Sequence, residues 1–189
     1  MIEAVKGGVP DKTLVKGWMT DYGLFQGLTH SQRDSVVGAF EDFVASHRRI
    51  RLMTDNDVYH VYGELYAALY GAENRVWASA ASKLLWCLYP RQTVIYDDYV
   101  HSTIVVLQSI DRNLAGFPRV GIAPRVYTKS DIELASKFYV NFQCIVKKLC
   151  AVHKPTLRQL RRRYQEQYPY DIRVIDKLLW MISNPNRSW

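Results

Sequence analysis

Along most of the chain, apolar residues recur every three or four positions and are interrupted by short polar breaks, which is the periodicity of amphipathic helices. Residues 11–25 predict a short helix closed near Gly23. Thr29 and Gln32 have the spacing of a capping box, and Val36, Val37, Phe40, Phe43 and Val44 then recur at helical spacing as far as His47. Arg48, Arg49 and Arg51 follow as a small basic cluster at the helix end, where cations favour the dipole. Thr54 to Asp57 opens a helix running to Gly71, with Tyr59, Tyr62, Tyr66 and Tyr70 on one stripe. Such a stripe can stack on unpaired bases, but packing in a core with hydroxyls at the rim is the commoner use.

After a turn over residues 71–76, the stretch from Trp77 predicts a helix stopped at Pro90. Then come an apolar crossing of Thr93, Val94, Ile95 and Tyr96, and two adjacent acids, Asp97 and Asp98. The next helix carries Val100, Ile104, Val105 and Leu107. Residues 113–125, with Gly116, Pro118, Gly121 and Pro124, make the one long irregular loop. Thr128 to Asp131 caps a long helix to about Val152, with Leu134, Phe138, Phe142, Ile145 and Leu149 expected inward. Pro155 begins another, carrying Arg158, Arg161, Arg162 and Arg163 and expected to end at Pro169. Asp171 caps a last helix through Leu178, Leu179 and Trp180. Only the four-residue crossing offers a strand, so the pattern predicts an all-α fold. Residues 1–189 form a single compact domain, possessing a basic helical part over 140–189.

Composition narrows the class. A hydrophobic content of 48% and an aromatic content of 13% are those of a folded globule, and no apolar run is long enough to span a membrane. Without the layout of a signal peptide at the N-terminus, a cytoplasmic protein is expected. Cys87, Cys144 and Cys150 are odd in number and lie in apolar patterns, so they read as reduced core residues. His30, His47, His60, His101 and His153 show no metal-ligand spacing, and neither metal nor cofactor is expected.

Charge changes the picture more. Up to Tyr139 the chain is neutral, whereas residues 140–189 hold ten Lys and Arg against three Asp and Glu, which accounts for the whole net charge of +7. A localised basic region on such a protein suggests a polyanion, most simply nucleic acid.

The succession of helix, Pro90, apolar crossing, Asp97 and helix resembles the core of the helix-hairpin-helix DNA glycosylase superfamily. The residues carrying the resemblance are Ala81, Leu84, Pro90, Val94, Asp97 and Val100, within a match from about Arg75 to Ile104. Size, the Ser82-Lys83 and Ile95-Tyr96-Asp97-Asp98 elements and the Arg-rich C-terminal part are similar to small bacterial anti-phage DNA glycosylases that remove glucosylated hydroxymethylcytosine. Two departures stand out. The family's hairpin glycines are replaced here by Asn74, Arg75, Val76 and Trp77, and the lysine of strand-cutting members falls near Ser79, one turn before Lys83.

The resemblance implies a monofunctional enzyme, with water as nucleophile, that leaves an abasic site in DNA. Asp97 would be the catalytic acid, with Asp98 second. A carboxylate there can stabilise positive charge on the sugar or activate water. A flipped base needs aromatic or apolar walls and polar contacts, for which Tyr59, Trp77, Lys83, Tyr96 and His101 are the candidates. Arg75, Arg158, Arg161, Arg162 and Arg163 are candidates for the DNA backbone, and a monomer is expected. Gln26, Asn56 and His60 could serve a bulky modified base. The alternatives are a repair glycosylase for a damaged base, a DNA-binding protein of the same fold without chemistry, and a helical module for an acidic protein partner.

Overall fold

The computed structural model describes residues 1–2, 7–47, 54–126, 128, 130–164, 166 and 169–184, so the Arg48, Arg49 and Arg51 cluster lies outside the described residues. Among these residues the fold is an all-α bundle of eight α-helices and one 3-10 turn. In chain order they are α1 (Lys12–Asp21), α2 (His30–His47), α3 (Asp55–Ala72), α4 (Ala78–Leu88) and α5 (Asp98–Ile110), then α6 (Asp131–Val152), α7 (Lys154–Arg163) and α8 (Asp171–Ser183). The turn over Arg112–Leu114 follows α5. No helix among the described residues is long and apolar enough to cross a membrane.

Local chemistry sets the helix starts. Asp11 caps α1 by accepting from the amides of Thr13 and Leu14. The Thr29 and Gln32 box opens α2, with the Thr29 amide donating to Gln32 Oε1 at 2.8 Å. Thr54 and Asp57 form a reciprocal box at α3. Two glycines with positive φ, Gly23 at 65° and Gly27 at 74°, turn the chain between α1 and α2, a conformation that disfavours any side chain.

The centre is where α3 meets α6. Tyr62 and Tyr139 stack there at 4.0 Å between ring centroids. A Cβ on Gly63 would lie 2.9 Å from Ser136 Oγ, so any larger residue there would have to displace that hydroxyl. Tyr62 and Tyr66 also brace the start of α4. The Tyr62 hydroxyl donates to the Ala78 carbonyl at 3.3 Å, and the Trp77 amide donates to the Tyr66 hydroxyl at 3.0 Å. Two members of the tyrosine stripe are therefore core residues with satisfied hydroxyls. Around them Phe40, Leu65, Leu69, Leu84 and Phe142 are fully buried, each stabilising the fold by about 1.5–3 kcal/mol relative to exposure.

Three expectations need correcting. Leu134 is 55% exposed, because the inward ridge of α6 runs through Ile132, Ala135, Tyr139, Phe142, Ile145, Val146 and Leu149 and leaves position 134 on the outer face. Helix α7 ends at Arg163, with Tyr164 as its C-cap, well short of Pro169. Asp171 is the first residue of α8 and makes no capping bond; its carboxylate instead meets Arg161 Nε at 3.1 Å.

The irregular loop after α5 is strapped down. Gln108 Nε2 donates to the Pro118 carbonyl at 3.1 Å, and Gln108 Oε1 accepts from the Val120 amide at 2.8 Å. His101 Nε2 donates to the Gly121 carbonyl at 2.9 Å, while Leu114, Val120 and Val126 are buried beneath.

Candidate active site

The apolar crossing between α4 and α5 belongs to no helix or sheet, so its buried backbone groups must find other partners. Ser82, fully buried on α4, supplies several. Its hydroxyl accepts from the Tyr96 amide at 2.9 Å and donates to the Ser79 carbonyl at 2.8 Å, with the Tyr96 carbonyl at 3.3 Å. From α6, the Tyr139 hydroxyl donates to the Val94 carbonyl at 2.8 Å. The Thr93 hydroxyl closes the start by donating to the Tyr89 carbonyl at 2.9 Å. Clamped on both sides, the crossing delivers Asp97 to a fixed point.

Asp97 does two things at that point. Its Oδ1 caps α5 by accepting from the Tyr99 amide at 3.0 Å, and its Oδ2 lies 3.7 Å from Lys83 Nζ. One carboxylate thus both caps α5 and lines a cavity. Asp98 points elsewhere, its Oδ1 accepting from the Tyr96 hydroxyl at 3.1 Å.

Lys83 reaches back one turn along α4 and donates to Ser79 Oγ at 2.5 Å. Its side chain is 12% exposed. Burial pulls the ammonium's pKa below the usual lysine range, opposed by the nearby Asp97, Asp176 and Asp98 carboxylates.

Two cavities meet at this lysine. The first, about 320 Å³, is lined by Lys83 and Asp97 together with Asp21, Tyr22, Asp176 and Trp180. Ile95, Arg173 and Lys177 complete its wall. The second, about 310 Å³, is lined by Arg75, Trp77, Lys83, Tyr96 and Asp98 and by the first turn of α4. Tyr22 and Lys83 border both. Consecutive acids thus face different chambers.

The aspartate of α8 was not singled out by sequence reasoning. Asp176 is 5% exposed and paired with Arg173. Burial pushes its carboxyl up to about 6, with Arg173 pulling down and Asp97 pushing further up. A signal did exist in the sequence, since Asp176 falls among Val174, Ile175 and Leu179 on the apolar face of an amphipathic helix. Helix α8 is registered against α5 by Thr103, whose hydroxyl donates to the Leu179 carbonyl at 2.8 Å and lies 2.7 Å from Ser183 Oγ. This contact holds α8 against α5, and Asp176 lines the same cavity as Asp97. The cavity's outer cations rest on indoles, Lys177 Nζ at 3.8 Å from the Trp180 ring and the Arg173 guanidinium at 5.4 Å from the Trp86 ring.

The structure therefore brings together Asp97, Asp98, Lys83, Trp77, Tyr96 and Arg75. Trp77 is 1% exposed, its indole N–H donates to the Glu73 carbonyl at 2.8 Å, and it borders the second cavity. Tyr96 packs on Phe138 and Phe142. Arg75 donates to the Gln26 carbonyl at 2.7 Å and lies over the Trp77 ring. Tyr59 packs edge-on against its neighbour His60 and lines neither cavity. His101 lines neither as well, being turned towards Phe138 and the Gly121 carbonyl. Gln26, Asn56 and His60 are all exposed and lie outside both walls.

The basic helix α7 packs against α8, with Leu157 as its buried residue. Arg158, Arg162 and Arg163 are exposed, whereas Arg161 is half-buried and held by Asp171. Arg91, Arg161, Tyr170 and Asp171 edge a separate hollow of about 420 Å³. Among the described residues the cysteines are free, and no group of three or more His, Cys, Asp or Glu side chains could hold a metal ion. No protein family, characterised protein or solved structure matches this chain.

Proposed function

We propose that the protein is a monofunctional DNA glycosylase, hydrolysing the bond between a modified base and deoxyribose to leave an abasic site. The observation that carries the reading is the Asp97 carboxylate, fixed at the end of a clamped crossing and set beside Lys83 in a polar cavity. Departure of a base builds positive charge on the sugar, and a pre-positioned carboxylate stabilises that charge without having to reorganise. The same oxygen can accept a proton from the attacking water. Lys83 keeps the carboxylate oriented between turnovers.

The chamber that Asp97 lines, with Tyr22, Ile95 and Trp180 in its wall, offers apolar and hydrogen-bonding surface to a flipped base, and the second chamber opens beside it at Lys83. The exposed Arg158, Arg162 and Arg163 of α7 would take the phosphates, with α8 joining that helix to the catalytic cavity. Glucosylated hydroxymethylcytosine of phage DNA is the leading substrate, and a damaged base the next. A DNA-binding protein without chemistry is the second reading, favoured by the lack of glycines at Asn74–Trp77.

The test is to incubate the protein with duplexes containing normal, damaged or glucosylated hydroxymethylated bases and to assay alkali-labile sites. Abasic sites should form, with no adduct trapped by borohydride. Salt-sensitive binding with no abasic product from any duplex would remove the enzymatic reading. A borohydride-trapped adduct would replace water by an amine, with Lys83 the nearest one to Asp97.

A further inference from the structure

We propose that Asp176 is the acid that protonates the departing base, working across the cavity from Asp97. This inference rests on the glycosylase reading and concerns the same chamber, but it assigns a residue from α8, far along the chain from the crossing.

An aspartate on the apolar face of a helix costs free energy through desolvation unless it is paired or put to use. Asp176 is only half accounted for by pairing. Arg173 binds its Oδ2, and no hydrogen bond among the described residues engages its Oδ1. The residue lines the 320 Å³ cavity that also holds Asp97 and Lys83. The groups facing it are Lys83 from α4, Asp97 at the head of α5, Asp21 and Tyr22 at the end of α1, and Arg173 and Lys177 on its own helix.

The two carboxylates have different surroundings. Asp97 accepts from an amide with one oxygen and lies beside an ammonium with the other, whereas Asp176 is buried among Val174, Ile175 and Leu179 with its carboxyl pushed up to about 6. Paired acids in unlike environments divide acid and base roles between them.

The step balances as follows. The bond from C1′ to the base nitrogen breaks, and its electron pair leaves with the base, which takes the proton of Asp176. Water attacks C1′ and gives its proton to Asp97. Returning that proton through the cavity or solvent to Asp176 restores both residues, with one water added overall.

Asp176→Asn tests the role, read on two kinds of base. A neutral base needs a proton to leave well, whereas N7-methylguanine is already cationic and leaves without one. Asp176→Asn should slow release of the neutral base about 10²–10⁴-fold and leave release of N7-methylguanine near the wild-type rate. The wild-type rate on the neutral base should fall as pH rises through about 6, and that fall should disappear in Asp176→Asn. Asp176→Glu, which keeps an acid, should retain the fall even if the Asn variant folds poorly. Equal slowing on both bases, or a pH profile shared by wild type and Asp176→Asn, would overturn the assignment. Absence of abasic product from wild-type protein on every duplex is a separate result, because it removes the glycosylase reading itself.

Discussion

The charges around Asp97 and those on α7 obey opposite rules. In the cavity, Asp97, Asp176, Lys83 and Arg173 are largely withdrawn from water, and each is held by a charged neighbour. On α7, Arg158, Arg162 and Arg163 stand in solvent, where water and salt screen each one. Formal charge therefore does not locate chemistry in this molecule. The last 50 residues hold the whole net charge, yet in the cavity that Arg173, Asp176 and Lys177 of that segment line, acids and bases balance.

The sharpest way to break the contrast is Asp97→Asn. Asparagine caps a helix as well as aspartate does, so α5 and the fold should survive. Base release, by contrast, should fall about 10²–10³-fold, the size of losing one pre-positioned electrostatic group. Thermal unfolding and abasic-site assays on the same preparation separate the two effects. A folded variant that excises at the wild-type rate would move the chemistry away from Asp97.

Asp176 offers a test that requires no substrate. Its carboxyl is raised from 3.8 to about 6, so between those values the folded protein holds a proton that the unfolded chain has lost. Its contribution to stability is thus present in acid and lost as pH rises through about 6, a change of up to about 3 kcal/mol. Denaturant unfolding of wild type and Asp176→Asn at about pH 4 and again above about pH 7 should show the wild type losing ground over that interval. Parallel pH dependence of the two proteins would show that Asp176 does not titrate there.

Ser82→Ala probes how the cavity is held. The substitution strips the Tyr96 amide of its buried acceptor, which should cost about 1–3 kcal/mol in denaturant unfolding. Activity should fall further than stability alone accounts for, because Asp97 follows Tyr96 directly. Wild-type stability would mean that the crossing is held from the α6 side alone, through Tyr139.

Helices α2, α3 and α5 were legible in the sequence because each is marked twice, by a period and by a cap: Thr29 with Gln32, Thr54 with Asp57, Asp97 before α5. The site was legible only where the chain is continuous. Asp97, Lys83 and Tyr96 lie within one helix–crossing–helix stretch, and local spacing brings them together. Asp176, Arg173 and Tyr22 enter the cavity of Asp97 and Lys83 through the packing of α8 and α1, which no spacing encodes. His101 shows the converse failure. One helical turn from Asp97, it has the spacing of a neighbour, but the loop carbonyl of Gly121 and the ring of Phe138 hold it away. Leu134 was misplaced for a related reason: several apolar ridges fit α6, and only contact with α3 selects one.

The smallest effect separates members of the basic helix from one another. If α7 meets DNA phosphate, each exposed arginine in contact should contribute nearly one unit to the slope of log binding constant against log salt. Arg162 is exposed, so Arg162→Ala should lower that slope by about one. Arg161 differs in being half-buried and bound to Asp171 at 3.1 Å. Its charge is already partly compensated, and Arg161→Ala should change the slope less while disturbing the join between α7 and α8. Fluorescence anisotropy with labelled duplex over a salt series measures both. Equal slopes for the two variants would mean that Arg161 leaves Asp171 on binding, whereas wild-type slopes for both would detach the basic helix from DNA altogether and leave its charge to another partner.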